Sequence, residues 1–225
     1  SDLDKVYWRI IQSGNFKEPD RVPIWDYIDN KSIYDYFAQG ETDYDKGMVS
    51  VYHGLGIDLC RGYGASYSEN DDGKLAENGT HRISGCTCWE VQKPIKKLDD
   101  LAGYQIPEMT DREVDEYVET VRKQIKKFAP LTMFVPGGGC GFHHTYGLMG
   151  QTLFSYAIYD APEEIRRIMG QANRVFRQIA EGIAKARLSP FFFIGDDIAY
   201  KNGLLFSPYF LRTTFIPCLK NVTEP

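Results

Sequence analysis

The sequence predicts an α/β fold with a parallel sheet, on three observations. Short apolar runs alternate with amphipathic helical stretches in the order strand, helix, strand, helix. One run, residues 191–194, is Phe-Phe-Phe-Ile, unbroken in the manner of a strand buried on both faces. It ends in Gly195-Asp196-Asp197, so two acids stand where a strand leaves the core. The chain has 225 residues, 43% of them hydrophobic, which is apolar mass enough for such a core.

The elements follow in order. Residues 3–13 carry Val6, Trp8, Ile10 and Ile11 on a helical stretch that Gly14 stops. Arg21-Val22-Pro23-Ile24-Trp25-Asp26-Tyr27 reads as a first strand near 22–26. Helices at 33–39 and 45–55 come next, the second ended by Gly56, and a second strand near 56–60 ends at Arg61. Residues 65–95 break the rhythm. The tight-turn signals Asp71-Asp72-Gly73 and Asn78-Gly79-Thr80 predict an antiparallel hairpin insertion there. Thr110-Asp111-Arg112-Glu113 is a capping box for a helix to about residue 128, with Val114, Tyr117, Val121 and Ile125 as its inward stripe. A third strand near 131–135 runs into a glycine-rich stretch from Pro136 to Gly147, read as a loop. Residues 148–159 are helical, and Asp160 caps a long helix to about residue 187. The fourth strand lies near 191–195. Ser207-Pro208 then opens a helix running towards Lys220.

Composition excludes several classes. The net charge is -5 with no basic patch, so nucleic acid is not an expected partner. No window approaches the length of a membrane span. The aromatic share, 14%, points to large side chains lining a core or a pocket. Five cysteines, Cys60, Cys86, Cys88, Cys140 and Cys218, form no paired zinc-type spacing. They read as reduced thiols, which predicts a cytoplasmic protein. Cys86 and Cys88 share one face of a strand or offer two soft metal ligands.

Chemistry concentrates at the strand ends. Asp196 and Asp197 suit holding a cation or orienting an amine or hydroxyl, or else capping the following turn. Lys201, four residues on, is placed to neutralise one of them. His143 and His144 are candidate general acids or hydrogen-bond donors, and adjacent residues diverge, so one of the two would serve. Gly137-Gly138-Gly139 lets the backbone approach a ligand closely, but no phosphate-loop Lys-Ser/Thr follows. Trp25, Tyr146 and Tyr200 either wall an aromatic ligand or belong to the core. Asp26 ends the first strand, and Arg61 ends the second, where it suits an anionic group.

Four stretches together resemble the uroporphyrinogen decarboxylase superfamily. They are Arg21-Val22-Pro23-Ile24-Trp25, Gly56-Ile57-Asp58, Gly137 to Gly150 with Asp160-Ala161-Pro162-Glu163, and Gly195-Asp196-Asp197 through Gly203, Ser207, Pro208 and Phe210. The last block resembles the corrinoid-dependent methyltransferase branch. The resemblance implies a (β/α)8 TIM barrel with its site at the mouth. Four strands are half of such a barrel and leave two open edges. Either further strands lie beyond residue 225 or a second copy completes the sheet, as a homodimer. The reading taken is a single barrel domain of which residues 1–225 are the N-terminal half to two-thirds, with 65–95 as insertion.

The same resemblance separates two activities. Tetrapyrrole decarboxylases, which are lyases, carry an arginine-rich loop after the first strand. Here that loop is Asp26-Tyr27-Ile28-Asp29-Asn30, acidic and without arginine. The acid that gathers the porphyrin nitrogens falls near Ala65, the family serine on Tyr200, and the decarboxylase tyrosine near Gly147, beside Tyr146. The methyltransferase branch is therefore the implied function: methyl transfer between a small methylated substrate and a corrinoid or thiol acceptor. It further implies a corrinoid protein as partner, and zinc on ligands that would lie beyond residue 225. The rivals are decarboxylation and a non-catalytic barrel that keeps a ligand pocket.

Overall fold

A computed structural model describes residues 2–61, 80–84, 87–128 and 132–224. Helices α1 (Asp2–Gly14), α2 (Lys31–Ala38) and α3 (Tyr44–Gly54) lead to strand β1 (Leu59–Cys60). Strands β2 (Thr80–Ser84) and β3 (Thr87–Glu90) pair antiparallel. Then come α4 (Asp100–Gly103), α5 (Asp111–Phe128), β4 (Met133–Phe134), β5 (Gly137–Gly138), α6 (Phe142–Gly147), α7 (Gln151–Asp160) and α8 (Pro162–Lys185). The chain continues through β6 (Phe193–Ile194), β7 (Ala199–Tyr200), β8 (Gly203–Leu204), α9 (Pro208–Phe210), a π-helical turn (Leu211–Phe215) and α10 (Ile216–Thr223). The fold is mixed α/β and rich in helix. Among the described residues the strands pair two by two, β1 with β4 and β5 with β6 in parallel, and these pairs do not themselves close a barrel.

The contacts group the chain into two units: Ser1–Gln92 with Val121–Val135, and Lys93–Thr120 with Pro136–Pro225. The core of the first unit is Met48, Val49, Tyr52, Ile57, Cys60 and Phe128. Asn30 caps α2 by accepting from the Ile33 N–H, and Asp43 caps α3 through the N–H groups of Asp45 and Lys46. On α1 the apolar residues turn inward only in part. Arg9 and Ile10 are buried while Trp8 stays 48% exposed, because Arg9 follows an ion-pair partner inward.

The predicted first strand near 22–26 is extended chain without a ladder. The Ile24 carbonyl accepts from the Asp58 and Leu59 N–H groups at 2.9 and 3.3 Å. Its own N–H donates at 2.9 Å to the Asp58 carboxylate, and Pro23 has no N–H to offer. A side chain therefore occupies the ladder position. Residues 62–79, 85 and 86 lie outside the described residues, and with them Ala65, the predicted turns and Cys86. Residue 131, at the start of the predicted third strand, lies outside them too.

In the second unit, α8 is the longest helix, and it buries Ile165, Ile168, Met169, Ala172, Ile179, Ala180 and Ile183 along one stripe. The capping box of α5 forms as predicted. The Glu113 carboxylate accepts the Thr110 N–H at 2.7 Å, and Thr110 Oγ1 accepts the Glu113 N–H at 3.3 Å. Of the predicted α5 stripe only Val121 is fully buried, together with Phe128. Asp160 does not cap α8. It ends α7, and Ala161 stands at the cap position without a side-chain bond, with Pro162 in the first turn.

The helix predicted from Ser207 is interrupted. Pro217 has no N–H for an i−4 carbonyl, and the turn before it widens to a π form. At the centre of this unit Phe142 is fully buried. Tyr146, Phe154, Phe206, Phe210 and Phe215 surround it with ring centroids 5.3–6.2 Å away. The 191–194 run is a correction. It is only half-buried, and a two-residue strand forms where Phe193 and Ile194 meet Gly137 and Gly138.

Candidate functional site

Strands β5 and β6 run side by side and leave the sheet together. Phe193 N–H donates to the Pro136 carbonyl at 3.0 Å and Gly195 N–H to the Gly138 carbonyl at 2.9 Å. A side chain at Gly137 would put its Cβ 2.6 Å from the Phe193 carbonyl oxygen, so only glycine admits this pairing. The turns after the two strands therefore meet, and four predicted residues meet with them.

Asp196 turns into the protein. Its carboxylate accepts the backbone N–H groups of Cys140 and His143, each at 2.6 Å. Asp197, next along, turns out: its side chain is 74% exposed, and its Oδ2 lies 3.6 Å from Nδ1 of His143, itself 47% exposed. The His143 ring stacks on Tyr146 at 4.7 Å and 11°. The Tyr146 hydroxyl donates to the Asp197 carbonyl at 3.3 Å. Burial, with Asp197 and Asp196 nearby, pushes the Tyr146 phenol up to about 12. The pair His143–Asp197 is thus braced from below and open to solvent, an arrangement suited to moving a proton to or from a bound group.

Beneath it lies a polar scaffold that composition did not reveal. Nδ2 of Asn173 donates to the carbonyls of Cys140 and Cys218, both at 2.8 Å, and Asn221 donates to Asn173 Oδ1 at 2.6 Å. The only sequence signal was one polar residue on the apolar stripe of α8. Burial holds the Cys140 thiol well above its usual range, and burial with Asp196 nearby pushes Cys218 up to about 11. Both are therefore poor nucleophiles at neutral pH.

The remaining candidates of this unit stand apart from the pair. His144 sets its ring edge-on to Phe176 at 6.0 Å. Tyr200 and Lys201 are exposed on the β7–β8 hairpin, and among the described residues Lys201 pairs with neither acid. A cleft of about 330 Å³ does exist in this unit, but Tyr159, Arg166, Tyr209 and Thr214 are among its walls and no predicted site residue is.

In the first unit, Arg61 lies over the Trp25 ring at 5.5 Å, and Tyr27 meets that ring edge-on at 5.2 Å. Burial lowers the Arg61 pKa. Asp26 bonds the N–H of Tyr27 at 2.7 Å. The most enclosed acid here was quoted in the sequence but given no role. Asp58, 1% exposed, pairs with Arg9 and with Arg21 and also takes the Ile24 N–H. Arg9 in turn grips Asp20 at 2.6 and 2.7 Å, and that bond lowers the Asp20 carboxyl to about 2.

Among the described residues no group of three or more His, Cys, Asp or Glu is placed to hold a metal ion. Among them, too, no helix is long and apolar enough to cross a membrane.

No protein-family model matches the chain. No curated protein matches it either. Among solved structures, a methyltransferase from Methanosarcina mazei is similar, with a TM-score of 0.66 and 15% identity. The likeness covers 97% of this chain and 66% of that one, so the chain spans just under two thirds of that protein's length. At this identity the likeness is one of fold.

Proposed function

We propose that the chain is the N-terminal part of a barrel methyltransferase that moves a methyl group from a small methylated amine or alcohol to a corrinoid or thiol acceptor. Two things support this reading: a fold shared with a protein named as a methyltransferase, and the motif resemblance given above. The observation that carries it is the exposed His143–Asp197 pair at the end of β6, with imidazole and carboxylate 3.6 Å apart. Demethylation of an amine or alcohol leaves a nitrogen or oxygen that takes a proton as the C–N or C–O bond breaks. His143, oriented by Asp197, is the group that delivers it.

A corrinoid, as acceptor, would supply a strong nucleophile for the methyl carbon. The described residues do not offer a zinc ligand set. The test is direct. The full-length protein is mixed with reduced cobalamin and a panel of methylated amines and alcohols, and methylcobalamin is followed by absorbance. Methylation dependent on one of these donors is the expected result. Its absence across the panel, with decarboxylation of a tetrapyrrole instead, overturns the proposal.

A further inference from the structure

We infer that Asp196 is a positioning residue: it caps α6 from across the chain and so sets His143 against Asp197. What the pair accomplishes rests on the methyl-transfer reading; how the pair is held does not.

Gly141 stands at the N-cap position of helix α6; its φ of 100° is left-handed and it has no side chain to cap with. The first N–H groups of a helix need partners. Asp196 supplies one of them from 53 residues away, a carboxylate oxygen accepting the His143 N–H, while its other oxygen accepts the N–H of Cys140 just before the helix. Bonds of 2.6 Å to a carboxylate are charge-assisted and among the stronger ones available. Both oxygens accept from backbone N–H groups, so the carboxylate is committed to holding the chain.

The backbone of His143 is thereby fixed where its side chain begins. Its ring then lies on Tyr146, and Tyr146 bonds the carbonyl of Asp197. Three contacts from one short helix close on a two-residue turn, and Nδ1 of His143 comes to rest 3.6 Å from the Asp197 carboxylate. The glycines belong to the same device. A Cβ at Gly139 would lie 3.2 Å from Asp196 Oδ2, and one at Gly141 would lie 2.9 Å from the backbone of Met169 and Asn173. Two neighbouring acids therefore hold different posts: the inward one fixes the backbone that carries the imidazole, and the outward one faces the imidazole from the solvent side.

The experiment compares Asp196→Ala, Asp196→Asn and Asp197→Asn in the full-length protein by amide hydrogen exchange and by turnover. In Asp196→Ala the Cys140 and His143 amides should exchange at least about tenfold faster while those of α8 are unchanged. In the same variant kcat should fall about tenfold or more with KM within about twofold, because geometry and not substrate affinity is lost. Asp196→Asn, which keeps one accepting oxygen, should recover part of both. Asp197→Asn should lose turnover with exchange unaltered.

Unchanged exchange at the two amides in Asp196→Ala overturns the inference, and so does an Asn variant no better than Ala. If Asp196→Ala does not fold, the two amide proton resonances decide: downfield in wild type and moved upfield in Asp196→Asn supports the cap, and no movement overturns it. A wild-type protein without methyl transfer sinks the proposed function, whereas the exchange result judges the cap independently.

Discussion

Asp58 in the first unit and Asp196 in the second are both acids beside a short parallel strand, and both turn inward. They meet different donors. Asp58 faces two arginine side chains and one N–H, and is 1% exposed. Asp196 faces two backbone N–H groups, one in the first turn of a helix and one just before it. A carboxylate neutralised by guanidinium groups makes a closed knot that ties α1 to the chain beside β1. One that binds backbone neutralises no charge and leaves its neighbours free to present theirs. The first arrangement suits stability, the second suits a site.

The contrast breaks most visibly at Asp58. Asp58→Ala removes one of the two anions facing Arg9, a group whose side chain is 8% exposed, and should cost about 3–5 kcal/mol. Denaturant unfolding measures it; a loss under about 1 kcal/mol would make the knot ornamental.

Asp197 should behave oppositely. Asp197→Asn changes an exposed group and should alter stability by no more than about 0.5 kcal/mol while turnover falls about a hundredfold or more. Equal damage to folding would place Asp197 with Asp58.

The smallest effect belongs to Tyr146→Phe, which keeps the ring under His143 and drops the bond to Asp197, for about 1 kcal/mol at neutral pH. The sign of its pH dependence sharpens the comparison. The folded phenol ionises near 12 and the unfolded one near its ordinary value of 10. Its stabilising share is whole below pH 10 and is lost as pH rises towards 12. The Phe variant should lose less stability over that window, as read by thermal unfolding against pH.

Much of the molecule was legible in the chain. The capping box at Thr110 and Glu113, the extent of α8 and the stops after α1 and α3 follow from residues within a few positions of each other. Periodicity and capping are local properties, and local sequence carries them. The stretch from Pro136 to Gly147 was read as loop because nothing near Gly141 caps a helix; the cap comes from Asp196. The first strand was read from apolar residues, yet a distant carboxylate took its ladder position.

Sequence by itself therefore determined the α/β alternation, most helices and the strand end at which acids collect. Only the tertiary structure decided which of Asp196 and Asp197 faces solvent, which histidine meets it, and that Arg9 rather than Trp8 turns inward. Those choices depend on hydrogen-bond partners far along the chain, and no spacing within a segment encodes where they arrive.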